Sequence, residues 1–249
     1  MFRHQGKSRT LKHNIQIASF LSFVAGIVNV TGYLSIRQLT TNVTGHFALF
    51  INDVARLEIW RGLVYFLYLL SFLLGSFTSS FIIEVVSRQK RFNKFMLPTL
   101  LESSILIFVG ICAGLSIITS PDLIACLLLF AMGVQNSFVT KISNAIVRTT
   151  HLTGLFTDLG IDLSHLLFPK TYPHKALLAS NIKLRISIIS FFFFGGLIGG
   201  FIYSKIGFGV LLLAAFILIA GLIYDNLRFQ IILANRKFSK KRRVLKKTA

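Results

Sequence analysis

Charge is what this sequence has least of. Charged residues make up 14% of its 249 positions, where a soluble domain carries about 25%. Beside a hydrophobic content of 54% and a mean hydropathy of +0.72, that deficit excludes an ordinary soluble globular protein and a disordered one. Acidic residues are scarcest, 8 Asp and Glu against 27 Lys and Arg. In so apolar a chain the basic excess reads as a topology and lipid signal, and no nucleic-acid partner is expected. Cysteine is almost missing. Cys112 and Cys126 both lie in apolar stretches, so they are expected as small buried hydrophobes, with no disulfide framework and no metal site. A Gly-rich phosphate loop, a metal-ligand cluster and a nucleophile–base spacing are absent too. The chain is therefore expected not to be an enzyme and to need no cofactor.

What the sequence does have is long apolar runs. Residues 15–36, 62–85, 95–118, 122–143, 184–205 and 207–227 are each long enough to cross a bilayer, which takes about 20 residues per helix. The basic N-terminus (Arg3, Lys7, Arg9, Lys12) runs into the first of them without a small-residue cleavage site, which reads as an uncleaved first span. Pro98 falls in the first turn of the third span, where its missing N–H costs nothing. Ser120-Pro121-Asp122 makes a tight turn between the third and fourth. Trp60, Tyr65, Tyr203 and Tyr224 fall near span ends, at headgroup level. The Asn-x-Thr triplets at Asn29 and Asn42 lie in or beside apolar segments and are not read as glycosylation sites. Gly195, Gly196, Gly199 and Gly200, with Gly75 and Ser79, form small-residue stripes. Such stripes let helix backbones approach closely, here expected within one chain rather than at a dimer interface.

Two segments, 40–54 (TTNVTGHFALFINDV) and 149–167 (TTHLTGLFTDLGIDLSHLL), are too polar or too short to cross easily. Basic residues near span ends favour the cytoplasmic side. If neither segment crosses, six spans result with both termini inside. That arrangement leaves only Arg37, Arg56, Arg61 and Lys205 outside, so 23 of the 27 basic residues are inside. If both cross, the distribution falls to 19 against 8. Six spans are therefore expected, with Asp53 in an outer loop.

The two segments also resemble each other. Thr41-Asn42-Val43-Thr44-Gly45 matches Thr150-His151-Leu152-Thr153-Gly154, and Gly26-Ile27-Val28-Asn29 matches Gly133-Val134-Gln135-Asn136. Downstream, Phe72, Gly75, Phe81 and Ile82 match Phe192, Gly195, Phe201 and Ile202. The offsets are 109, 107 and 120. The expected fold class is an all-α polytopic transmembrane helix bundle of two repeats, each with three spans and one interrupted segment. A basic tail at 1–13 precedes the first repeat at 14–118, and the second repeat at 122–230 leads into a basic tail at 231–249. An odd number of crossings inverts the second repeat, a pattern associated with transporters and channels.

The region from Gly26 to Phe47, with TTNVTGHF, and that from Ala131 to Leu159, with AMGVQNSFV and RTTHLTGLFTDLG, resemble the two signature regions of the YoaK-like family. The resemblance runs in order along nearly the whole chain and implies an integral protein of the bacterial inner membrane. It supplies no substrate. Many members carry an acidic residue near the position that Asn29 occupies here, so a charge-based mechanism is not carried over to the first half.

The Thr-x-x-Thr-Gly elements are the first candidates for function. Broken backbone at membrane depth is tolerated only where it is buried in protein or lines a cavity. Thr41, Thr44, Thr150 and Thr153 offer hydroxyls as caps beside Gly45 and Gly154. Asn29, Asn42, His46, Gln135, Asn136 and His151 add polar groups nearby. This set suits a neutral polar solute or a hydrated ion, or merely satisfies a kink. Asp158, Asp162 and His165 share one helical face, which suits a cation or proton path or a solvated interface. Glu102, seven residues into the third span, is either a site residue or a carboxylate paired with Lys94. Glu102 with His151 is the only pair that an intramembrane enzyme could use. The C-terminal run from Arg236 to Lys247 suits anionic lipid better than RNA. The best-supported expectation is a small permease or channel for an unknown small solute or ion, with its path between the repeats. The alternative is a non-transporting sensor or assembly partner with a packed midplane.

Overall fold

The computed structural model describes residues 10–87, 95–168 and 175–245, with side chains to residue 231. Eight α-helices follow in order: α1 (Leu11–Ile36), α2 (Val43–Ala55), α3 (Ile59–Ser87), α4 (Met96–Gly114), α5 (Pro121–Ser143), α6 (Leu152–Leu166), α7 (Lys175–Ile206) and α8 (Val210–Leu245). No strand occurs among the described residues. The helix ends follow from local chemistry. Ser120 caps α5 by accepting the Leu123 N–H at 3.4 Å, with Pro121 at the first helical position. Arg37 and Asn144 end α1 and α5 in the left-handed region, at φ 58° and 52°.

Five stretches have the length and hydropathy of a membrane crossing. The last, Lys175–Ile231, has 57 residues. As a single rod it would be about 85 Å long, against a hydrocarbon core of about 30 Å. It reverses at Gly207, whose φ of 54° the glycine tolerates without a Cβ clash. Beyond the turn, Leu212 packs on Gly110 and Phe208 on Gly114, so α8 runs antiparallel to α4. The protein is thus a polytopic helical bundle with six long helices. α2 and α6, of 13 and 15 residues, are only about 20 Å long and too short to cross.

Two parallel helix pairs organise the bundle. In one, α1 and α7 run together, with Phe23 beside Gly195 and Val30 beside Gly199 and Gly200. In the other, α3 and α5 run together, tied by Tyr68 to Asp122 (2.5 Å), Ser76 to the Gly133 carbonyl (3.1 Å) and Lys141 to Glu84 (2.6 Å). Both crossings are backbone on backbone. A Cβ on Gly26 would lie 2.2 Å from the Phe192 carbonyl oxygen, and one on Gly133 would lie 2.2 Å from that of Phe72. On Gly195 it would meet the Phe23 oxygen at 2.0 Å, and on Gly75 the Phe130 oxygen at 2.1 Å. Ser79 is also buried. The glycine stripe therefore works within the chain, as close van der Waals packing in lipid requires.

α1 and α5 supply much of the core, with Ile17, Leu21, Val24, Ile27, Val134 and Phe138 fully buried. Phe77, Phe81 and Phe216 stay exposed on the outside, an apolar surface suited to acyl chains rather than water. Several boundaries differ from the sequence expectation. The third span ends at Gly114 rather than 118, because the chain turns left-handed at Ser116 (φ 57°). α7 begins at Lys175, nine residues early, and α8 continues to Leu245 where a tail is expected. Lys and Arg are good helix formers, so a helix leaving the apolar layer need not end there. Asp53 is not in an outer loop: it lies buried in the last turn of α2 and accepts from Asn52 Nδ2 at 2.9 Å. Cys112 and Cys126 are half-buried rather than buried. The expected basic stretches around Arg3, Arg9, Arg88–Lys94 and Lys170 lie outside the described residues, as do the side chains from Arg236 to Lys247.

Candidate functional site

The two short helices start part-way along the long helices because the chain turns back on itself before each. After α1 the segment 37–42 returns to the level of Asn29, two turns below the helix end. There Asn29 Oδ1 accepts both the Thr41 N–H (3.2 Å) and the Thr41 hydroxyl (2.9 Å). After α5 the chain stays left-handed at Asn144 and Ala145, and Ser143 Oγ accepts the Val147 N–H at 3.0 Å. It then returns to Asn136, whose Oδ1 accepts the Thr150 hydroxyl at 2.8 Å. Each half thus holds a Thr–Asn bond that pins the start of a short helix against the long helix before it.

The Thr-Gly pairs sit within the first turns of α2 and α6 rather than at a break. Their glycines make room for the residue before the helix to fold over its start. A Cβ on Gly45 would lie 2.3 Å from Asn42 Nδ2, and one on Gly154 would lie 2.3 Å from the His151 ring. Asn42 caps α2 by accepting the Gly45 N–H at 3.0 Å. His151 leaves α6 without a side-chain cap. The threonines expected as caps do not cap: Thr41 and Thr150 spend their hydroxyls on the two asparagines. A hydroxyl one residue before the cap position reaches the neighbouring helix more readily than the first-turn N–H groups.

A cavity of about 870 Å³ opens between the two starts. Asn29, Thr41, Asn42, Thr44 and Gly45 line it from the first half, and Asn136, Thr140, Thr150, His151 and Thr153 from the second. Phe72 and Phe192, the aromatic residues at matched positions, also line it. Arg148 is its one residue with a permanent charge. A second cavity, of about 420 Å³, shares Arg148 and His151 with the first and extends along α6 and α7 past Gly154, Asp158, Asn181 and Arg185. Arg185 reaches Asp158 at 3.5 Å and pairs with the nearly buried Asp162. One Arg185 guanidinium thus bridges both carboxylates of this α6 face, closely at Asp162 and at longer range at the exposed Asp158. Desolvating a carboxylate next to a guanidinium costs far less than leaving it alone.

The remaining candidates lie elsewhere. His46 is buried against Tyr65 and Tyr68, with ring centroids 6.2 and 5.2 Å away, and its Nε2–H meets the Leu39 carbonyl at 2.8 Å. Gln135 is buried and donates to the Leu21 carbonyl (2.8 Å) and to Thr149 (3.3 Å), tying the loop before α6 to α1. Glu102 is fully buried in α4, neither carboxylate oxygen has a hydrogen-bond partner among the described residues, and it lines neither cavity. Asp162 and His165 line neither cavity as well. Arg148, Arg185 and Thr140 are polar site residues that the sequence pattern did not single out, and Phe72 and Phe192 entered it only as matched repeat positions. Arg148 and Arg185 entered it only as topology charges, since their roles depend on helices far apart in the chain.

Taken together, hydroxyls, amides and one guanidinium line a cleft between the starts of two short helices, where Asn42, Thr44, Arg148, His151 and Thr153 are exposed. This is the anatomy of a polytopic membrane protein with an open cleft that carries polar groups among apolar ones. Comparison with known proteins agrees with that class. The family described as "Protein of unknown function (DUF1275)" matches residues 17–224, and the chain belongs to it. The "UPF0700 transmembrane protein YoaK" of Bacillus subtilis (strain 168) is 28% identical over 178 residues, covering 70% of this chain and 77% of that protein. No solved structure matches the chain. The YoaK-like resemblance expected from the two Thr-Gly regions is thereby shown.

Proposed function

We propose that the protein is a small permease or channel that carries a polar solute or ion across the bacterial cytoplasmic membrane. In this reading both termini are cytoplasmic, and the two halves are inverted repeats around one path. The observation that carries it is the 870 Å³ cavity lined by both Thr-Gly starts. The matched contacts support it further: Gly26 on Phe192 answers Gly133 on Phe72, and Thr41–Asn29 answers Thr150–Asn136. Short helices whose polar starts meet inside a bundle are how transporters present backbone and side-chain dipoles to a solute. A sensor or assembly partner needs no such chamber, which is why it ranks second.

Two expected results test it. Exported-reporter fusions should be inactive at Lys94 and active at Pro121; the reverse would contradict cytoplasmic termini. Single cysteines at Thr44 and Thr153, in a variant without Cys112 and Cys126, should react with a membrane-impermeant thiol reagent. Across the two sites, reaction is expected from both sides of oriented vesicles. Labelling of both sites from one side only, unchanged under every condition, would favour the sensor.

A further inference from the structure

A third cavity opens on the lipid-facing side of the bundle. It is a groove of about 780 Å³ between α1 and α7, with the start of α6 at one edge. Gly196, Gly200, Tyr33 and Phe201 are among the residues that line it. The lining is almost wholly apolar. It is not isolated from the polar chamber: Asn29, Leu39, Leu152 and Phe192 line both. An apolar groove at membrane depth is filled by acyl chain, because water there would leave its hydrogen bonds unmade. The chamber it joins holds hydroxyls, amides and Arg148, for which no ion pair occurs among the described residues. Asp158, the acidic lining residue of the adjoining cavity, faces Arg185 at 3.5 Å.

We infer that the chamber takes an anionic amphiphile drawn laterally from the bilayer, with its acyl chain in the α1–α7 groove and its headgroup at Arg148. This inference rests on the transport reading and names its substrate class. Chain and headgroup need connected compartments, one almost wholly apolar and one carrying hydrogen-bonding groups and a charge, and the four shared residues supply the connection. Arg148, the one permanently charged residue lining the chamber, complements one negative charge on the ligand.

The glycines make the test specific. Gly195 and Gly199 face α1 closely, whereas a Cβ on Gly200 would meet only Val30 and Leu34, at 3.7 and 3.8 Å, and one on Gly196 only the Gly26 oxygen, at 3.7 Å. Leucine at either position therefore fills the groove without parting the helices. The full-length protein is placed in nanodiscs of phosphatidylcholine with phosphatidylglycerol of the same acyl chains, then released for native mass spectrometry. Wild type should retain one phosphatidylglycerol, preferred about fivefold over phosphatidylcholine, the effect of one basic residue near anionic lipid. Gly200→Leu and Gly196→Leu should lose the bound lipid while keeping wild-type helicity and elution volume. Arg148→Gln should retain lipid but lose the preference.

Equal retention by wild type and the leucine variants, or no retained lipid, would overturn the inference. So would glycerol 3-phosphate alone stabilising wild type and Gly200→Leu alike, since the site would then be one for a headgroup without a chain. The two-sided cysteine labelling fails or succeeds independently. No lipid with two-sided labelling leaves a path for a small polar solute, whereas lipid with one-sided labelling leaves an amphiphile sensor.

Discussion

Gly133→Leu should leave almost no correctly folded protein. A Cβ at this position lies 2.2 Å from the Phe72 carbonyl oxygen and 3.1 Å from the Ser76 amide nitrogen. Both obstacles are backbone of α3, so no rotamer change relieves them. Room for a side chain appears only if α3 and α5 separate. That would also break the Ser76–Gly133 hydrogen bond at 3.1 Å and disturb the Tyr68–Asp122 and Lys141–Glu84 contacts along the same seam. Overpacking a core costs typically 1–3 kcal/mol where side chains yield, and here they are not the obstacle. The same outcome is expected at Gly26, Gly75 and Gly195. The fraction eluting as a single species in mild detergent should fall several-fold relative to wild type, while Gly200→Leu elutes normally. Wild-type yield and thermal midpoint for Gly133→Leu would mean that α3 and α5 do not cross backbone on backbone.

Arg185→Ala should be the most damaging charge substitution on α6 and α7. It strips the partner from Asp162, whose side chain is 10% exposed, and from Asp158, whose side chain is 54% exposed. Removing one member of a buried ion pair costs about 3–5 kcal/mol, because the other charge stays behind desolvated. Asp158→Asn, at an exposed carboxylate, should cost less than about 1 kcal/mol. The check is a double-mutant cycle read by thermal unfolding. Asp162→Asn should recover much of the stability lost in Arg185→Ala, since the orphaned charge is gone. Additive losses would show that the pair contributes little. Asp158 shares its helical face with Asp162 as the spacing predicts, yet Asp162 is the one that is buried against Arg185.

That case shows where reading the sequence stops. The i, i+4 spacing on α6 is local and reliable, so it places Asp158 and Asp162 on one side. It says nothing of what faces them, because Arg185 comes from α7, and only tertiary packing brings it there. The same division runs through the chamber. Thr41, Thr44, Thr150 and Thr153 are legible as a repeated element, and both elements do line one cavity. Their bonding is not legible: Thr41 and Thr150 reach Asn29 and Asn136 across a reversal of direction that no periodicity encodes. The six long helices are visible from apolar length alone. Their ends are less so, since α7 and α8 run on past the apolar layer, where helix continues without the hydropathy that betrays it. Asp53 reads as a loop residue because its segment is short and polar, whereas it closes a half-length helix against α3. Glu102 remains without an assigned role.

The central claim is that the two Thr-Gly starts face one another across a single chamber. A double variant with cysteines at Thr44 and Thr153, in the background without Cys112 and Cys126, measures it directly. A bifunctional maleimide with a spacer of about 8–10 Å, the spacing of packed helices, is added to the protein in vesicles. A protease site in the loop before α5 then reports the bridge on a denaturing gel. A shared chamber predicts that the two halves stay joined after cleavage, and that each single-cysteine control separates. Separation of the double variant, with both cysteines shown to react, would place the two starts apart and contradict the account.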